Sequence, residues 1–128
     1  MIKKVDVVAA VIRENGKILI AQRPNESHLG GQWEFPGGKI ETGETQHEAL
    51  IREIKEELTV DIKPVKLLGE AEHTYPERHV HLFFYDAEIV SGQIKAVEHQ
   101  DIRWVKPETM LNYDLAKGDI GFIKEFLI

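Results

Sequence analysis

Glu53, Glu56 and Glu57 stand at i, i+3 and i+4, a spacing that puts three carboxylates on one face of a helix. Oxygen donors converging from one rigid element suit hard divalent cations such as magnesium. Like charges at i, i+4 repel, so a sequence selected only for stability would intersperse lysines there. A solvated glutamate face is the competing explanation, because glutamate is a favoured helix residue. Gly37-Gly38 lies just upstream, where bare backbone can approach a ligand or offer a carbonyl to a metal. Arg52 adjoins Glu53 and can pair with Glu44 or Glu48 along the helix, which would orient Glu53.

These residues need a helix to carry them. Thr45-Gln46-His47-Glu48 has the spacing of a capping box, and Leu50, Ile51, Ile54 and Leu58 recur at helical intervals. The pattern predicts a helix over 46–58. Its apolar stripe centres roughly 120° from the glutamates, so the expectation is a buried stripe with all three carboxylates facing outward. Upstream, Val5 to Ile12 is β-rich, and Lys17 to Gln22 alternates Ile18 and Ile20 with Leu19 and Ala21. Glu14-Asn15-Gly16 between them is a turn signal, which predicts a hairpin. Residues 24–32 read as a loop, and Trp33-Glu34-Phe35 as a short strand that Pro36-Gly37-Gly38 breaks. Further strands are expected near 65–68, 79–89 and 101–105, a helix start at Pro107-Glu108, and a terminal helix over 119–127. Strands and helices mix without strict βαβ alternation. The expected fold class is therefore α/β, a mixed β-sheet flanked by helices, in one domain over 1–128.

The 128-residue chain is long enough for one real core, and its 42% hydrophobic and 30% charged content is ordinary for a soluble domain. No apolar run approaches the length of a bilayer span. Met1-Ile2-Lys3-Lys4-Val5-Asp6 reads as a first strand, not a signal peptide. There is no cysteine, which excludes disulfides, thiolate metal sites and cysteine nucleophiles. A cytoplasmic location is the expectation. A net charge of −6 argues against duplex nucleic acid as a partner, because such binding relies on basic contacts to phosphate. A small polyphosphate stays possible if metal ions stand between it and the carboxylates. Monomer and homodimer are both compatible with these properties.

Gly38, five residues, Glu44, seven residues and then Arg52-Glu53-Ile54-Lys55-Glu56-Glu57-Leu58-Thr59-Val60 resembles the Nudix box. The match is complete except at Thr59, where the family usually has glycine. That glycine suits a left-handed turn after the helix, and a threonine with positive φ would be strained. The resemblance implies a Nudix α/β/α sandwich whose box forms a loop, a helix and a loop. It further implies that the box glutamates bind magnesium and that water attacks a phosphorus of a nucleoside diphosphate linked to another group. The likeness extends to a subgroup containing MutT-type 8-oxo-dGTP diphosphatases and CTP pyrophosphohydrolases. Trp33 to Glu41 and Tyr75-Pro76-Glu77-Arg78-His79 are similar to the first type, and Glu98 through Trp104 to Asp119 to the second.

Carried over residue by residue, the resemblance assigns Glu53, Glu56 and Glu57 as metal ligands, with the Gly37 carbonyl. Glu98 would be a further carboxylate near the metals. Magnesium is the implied cofactor, with manganese as a possible substitute. Glu53, Arg52 and Glu98 form the catalytic set, and Glu53 is the first candidate to activate water. Bound magnesium can hold the nucleophile and neutralise developing phosphate charge. Arg23 and Lys39 would contact the phosphates. Arg78 and Asp119 would contact the base, with Phe35, Tyr75 and Leu82 as apolar walls. Each has a plainer reading: a loop charge for Glu98, surface cations for Arg23 and Lys39, simple core for the apolar three. His79 and His81 share a strand face at metal-pair spacing, but hard magnesium prefers oxygen.

The implied activity is magnesium-dependent hydrolysis of a nucleoside triphosphate, with 8-oxo-dGTP as the leading substrate. The alternatives are CTP or a modified pyrimidine triphosphate, the 5′ triphosphate of RNA, and a nucleotide sensor without catalysis. Intact Arg52-Glu53 and Glu56-Glu57 argue against the sensor. An ionised Asp119 can only accept hydrogen bonds. Guanine offers two adjacent donors, whereas cytosine offers one donor beside an acceptor. That favours guanine, unless a dry pocket keeps Asp119 protonated.

Overall fold

The computed structural model describes residues 2–27 and 29–128. Met1, the first residue of the expected first strand, and His28, within the expected 24–32 loop, lie outside the described residues. In chain order the elements are β1 (Lys3–Glu14), β2 (Lys17–Gln22), β3 (Trp33–Glu34), β4 (Gly37–Lys39), α1 (Gln46–Leu58), β5 (Asp61–Thr74), β6 (Arg78–Ser91), β7 (Asp101–Val105), a 3-10 helix (Pro107–Asn112) and α2 (Lys117–Phe122). A π-helical stretch (Ile123–Leu127) continues α2.

β1 is the axis of a mixed sheet. It runs parallel to β6 from Lys3↔Arg78 to Ile12↔Ala87. Along its other edge it pairs first with β4 (Val7↔Lys39 to Ala9↔Gly37) and then with β2 (Arg13↔Ile18). β2 also pairs with β3 and β7, and β5 closes the far edge against β6. Asn15 and Gly16 both have positive φ, as the expected hairpin turn requires.

The apolar run of β1 is buried on both faces. Val8, Ala10 and Ile12 pack beneath Leu50, Ile54 and Leu58 of α1. Ala9 and Val11 join Phe35, Leu82, Phe84, Phe122 and Ile123 on the opposite face. Two helical layers thus sandwich the sheet, as the resemblance implies, because each layer must bury an apolar face.

Several boundaries differ from expectation. Gly37-Gly38 does not end strand structure; it forms β4, because its backbone groups pair with β1. β5 is much longer than 65–68. It tolerates Pro64 because it is an edge strand, and register shifts at Pro64/Lys66 and Leu67/Gly69 break its alternation. α2 begins at Lys117, so Asp119 lies inside its first turn.

α1 spans Gln46–Leu58, and both halves of the capping box at Thr45 and Glu48 are formed. It ends at Thr59, which is left-handed with φ 62° and ψ 21°. The threonine hydroxyl donates to the Gln93 carbonyl at 2.8 Å. Lys95 and Val97 N–H groups donate to the Leu58 and Glu57 carbonyls, each at 3.0 Å. The 93–97 segment therefore satisfies carbonyls that the helix end would otherwise leave unpaired.

Candidate active site

The buried face of α1 is rotated from its expected position. Ile51 is 39% exposed, whereas Glu57 is 2% exposed among core residues. Ala49 supplies the reason: with it, the buried set centres near Leu50, and Glu57 lies roughly 20° from Leu50 around the axis. The three glutamates therefore do not face outward together. Glu57 points inward, Glu53 is mostly covered and Glu56 is half exposed.

Arg52 organises the outer carboxylates. It donates to both oxygens of Glu44, at 2.7 and 2.9 Å, to Glu53 at 2.9 Å and to Glu56 at 3.3 Å. A further bond reaches the Lys39 carbonyl at 3.1 Å, which ties the helix to β4. The Arg52 guanidinium, with the Glu41 N–H, holds the Glu44 carboxyl down at about 2. Glu48 is occupied in the capping box and does not pair with Arg52.

β4 brings Gly38 against Glu53, where an added Cβ would stand 2.4 Å from the carboxylate. Behind it, Arg23, Gly37, Glu53, Glu57 and Glu98 line one cavity together with Glu34 and His99. Sequence reasoning missed the last two. Glu34 carried a readable signal, a charge between Trp33 and Phe35 in a strand flanked by buried aromatics; His99 carried none. Arg23 donates weakly to Glu34 at 3.4 Å, and His99 Nε2 is 2.9 Å from the same carboxylate. Burial, then the neighbouring Glu53, Glu34 and Glu98, pushes the Glu57 carboxyl far above the usual range.

A second cavity, of about 280 Å³, contains Arg23, Phe35, Gly37, Lys39, Tyr75, Arg78, Leu82 and Asp119. All the expected base and phosphate contacts thus share one space. The Phe35 ring packs edge-on against Phe84 and Phe122, while its N–H donates to Asp119 Oδ2 at 3.2 Å. Asp119 is 4% exposed. Burial, then the charge of Glu34, raises its carboxyl to about 8. The ionised Asp119 assumed in the guanine argument is therefore not the form dominant at neutral pH. His79 and His81 pair with Glu72 and Glu70, each at 2.8 Å, away from this site.

Among the described residues, no three acidic or imidazole groups already form a metal cage. Glu53 and Glu56 are held by Arg52 instead. The donor set still fits a hard cation. Glu57 Oε1 is buried without a hydrogen-bond partner, beside other carboxylates that resist its ionisation. A cation would satisfy that oxygen and offset the repulsion.

A box helix of this composition, packed on a mixed sheet with a glycine strand at its face, defines a class. The chain belongs to the NUDIX domain family, which its residues 7–125 match. Members of the family are divalent-metal-dependent hydrolases. Within it, the chain is 40% identical over 125 residues to the CTP pyrophosphohydrolase of Escherichia coli K12, covering 98% of this chain and 93% of that protein. It is 36% identical over 104 residues to the 8-oxo-dGTP diphosphatase of the same organism, covering 80% and 81%. The crystal structure of a MutT protein from Methanosarcina mazei Go1 superposes with a TM-score of 0.90 at 29% identity, covering 98% of this chain and 94% of that one.

Proposed function

We propose that the protein is a magnesium-dependent nucleoside triphosphate pyrophosphohydrolase whose preferred substrate is 8-oxo-dGTP. One observation carries this reading: the Asp119 cavity and the carboxylate cavity share Arg23, Glu34 and Gly37. A nucleotide with its base at Asp119 would extend its phosphates past Arg23 towards Glu53 and Glu57. Magnesium held by Glu53, Glu56, Glu57, Glu98 and the Gly37 carbonyl would neutralise phosphate charge and lower the cost of deprotonating water. Arg52 orients Glu53 to take the proton as water oxygen bonds to phosphorus and the anhydride to pyrophosphate breaks. Arg23 and Lys39 hold phosphate oxygens.

A neutral Asp119 presents one donor and one acceptor. Oxidised guanine carries N7–H beside O6, a matching pair, whereas unoxidised guanine has acceptors at both positions. Arg78 can donate to a carbonyl oxygen of the same base. The second reading is CTP, whose N4 amine beside N3 also matches a neutral carboxyl. The 40% identity to a CTP pyrophosphohydrolase favours it. No helix among the described residues is long and apolar enough to cross a membrane. We place the activity in the cytoplasm, on free nucleotides.

The test is pyrophosphate release from 8-oxo-dGTP, dGTP, CTP and triphosphate-ended RNA with magnesium. The expected order puts 8-oxo-dGTP first in kcat/KM. Equal or better turnover of CTP at neutral pH would replace this reading with the pyrimidine one.

A further inference from the structure

His99 follows exposed Glu98 and precedes exposed Gln100, yet its own side chain is only 6% exposed. The short segment that carries it is pinned at both ends. The Val97 N–H donates to the Glu57 carbonyl of α1 at 3.0 Å, and the Gln100 N–H to the Gln22 carbonyl of β2 at 2.9 Å. The ring is thus held between two carboxylates. Nε2 is 2.9 Å from Glu34 Oε2, and Nδ1 is 3.7 Å from Glu57 Oε1. Those last two atoms are both buried and have no hydrogen-bond partner. Beyond Glu34 stands Arg23, 3.4 Å from its other oxygen. The result is a continuous line from Glu57 through His99 and Glu34 to Arg23.

We infer that His99 is a positioning residue that holds two groups at once: the Glu57 carboxylate beside one ring nitrogen and, through Glu34 at the other, the phosphate-facing Arg23. One ring nitrogen sets where the Glu57 carboxylate rests, and the other sets Glu34 and, through it, the guanidinium. Nε2 bonds Glu34, so its loss frees that carboxylate; Nδ1 faces Glu57 Oε1 at 3.7 Å without bonding it, so its loss opens the space that confines the Glu57 carboxylate. The inference rests on the proposed roles of Glu57 and Arg23.

Two near-isosteric substitutions separate the arms. The amide of His99→Gln reaches the place of Nε2, and that of His99→Asn the place of Nδ1. Binding of Mn2+ without substrate, followed by electron paramagnetic resonance, reads the Glu57 arm; KM at saturating metal reads the Arg23 arm. Groups that orient metal ligands typically matter at this scale, so His99→Gln is expected to weaken Mn2+ binding roughly tenfold and His99→Asn to raise KM several-fold, each leaving the other constant within about twofold. If both variants leave both constants unchanged, or each shifts both alike, His99 does not position the two groups through separate nitrogens. Glu57→Gln in the same Mn2+ titration separates the two failures. Unaltered binding there removes Glu57 from the metal site and takes the proposed function with it. Weakened binding there, with His99→Gln unchanged, overturns only the role of His99.

Discussion

The Glu53 carboxylate lies where a side chain on Gly38 would have to go: a Cβ at 38 would stand 2.4 Å from Glu53 Oε2. The glycine is therefore a seat for the helix carboxylate. Its neighbour differs in kind, because a Cβ at Gly37 would stand 2.0 Å from the Val8 carbonyl oxygen.

Gly38→Ala should consequently spare the fold and damage the chemistry. The obstructing atoms are the end of a flexible side chain, so Glu53 can swing away. Displacing one electrostatic group is expected to lower kcat by about 10²-fold. Gly37→Ala meets backbone and should lower the urea midpoint instead. Comparable melting temperatures for the two variants would contradict this division.

Glu57→Gln is expected to remove most activity, at least about 10²-fold in kcat, while the apo protein stays as stable as wild type or gains stability. The buried carboxyl already resists ionisation, and the amide carries no charge to desolvate. Magnesium should raise the melting temperature of wild type and not that of the variant, because only a ligand bound to the native state stabilises it. Normal turnover at saturating magnesium would show that Glu57 is not a ligand.

Thr59 pays for its left-handed backbone with a hydroxyl bond to Gln93. Thr59→Gly relieves strain of about 1 kcal/mol and forfeits a hydrogen bond of about the same size. Its stability should stay near wild type. Thr59→Val keeps the strain and loses the bond, so it should lose about 1–2 kcal/mol. Urea unfolding of the pair decides this; a stable Thr59→Val would mean that the hydroxyl contributes nothing.

The helix, its cap and the positions of its carboxylates along the chain were legible because each rests on short-range spacing. Thr45 and Glu48 announce the cap, and Leu50, Ile54 and Leu58 announce the buried side. The burial of Glu57 was not legible, because the helix rotation depends on how Ala49 fits beneath the sheet, which is a tertiary fact. β5 was hidden by Pro64 and by charges acceptable only on an edge strand. Glu34 and His99 lie 65 residues apart and meet only once β3 and the segment before β7 flank β2. The protonation of Asp119 depends on its burial where the first turn of α2 packs onto the molecule, which residue type alone does not disclose.

That protonation yields the last prediction. The Asp119 carboxyl stands at about 8 in the folded protein against an ordinary 3.8, first through burial and then through Glu34, with the Phe35 N–H opposing. Between those values the folded chain holds a proton that the unfolded chain has released. Stability contributed by this group is therefore fully present below about pH 4 and is lost as pH rises towards 8, by at most about 1.4 kcal/mol per pH unit. Asp119→Asn cannot titrate, so wild type should weaken relative to it across that window and run parallel above it. Catalysis should follow the same proton. The neutral acid can donate to O6 and accept from N7–H of the oxidised base, and the carboxylate can only accept. O6 is common to both bases, so kcat/KM should fall above pH 8 for 8-oxo-dGTP and dGTP alike, while N7–H keeps the oxidised base ahead. Asp119→Asn retains a donor and an acceptor that do not titrate, so it should lack that fall, while Asp119→Ala should narrow the gap between the two bases by about 1–3 kcal/mol. A wild-type kcat/KM that is flat through pH 9, with asparagine and alanine variants behaving alike, would remove Asp119 from base selection.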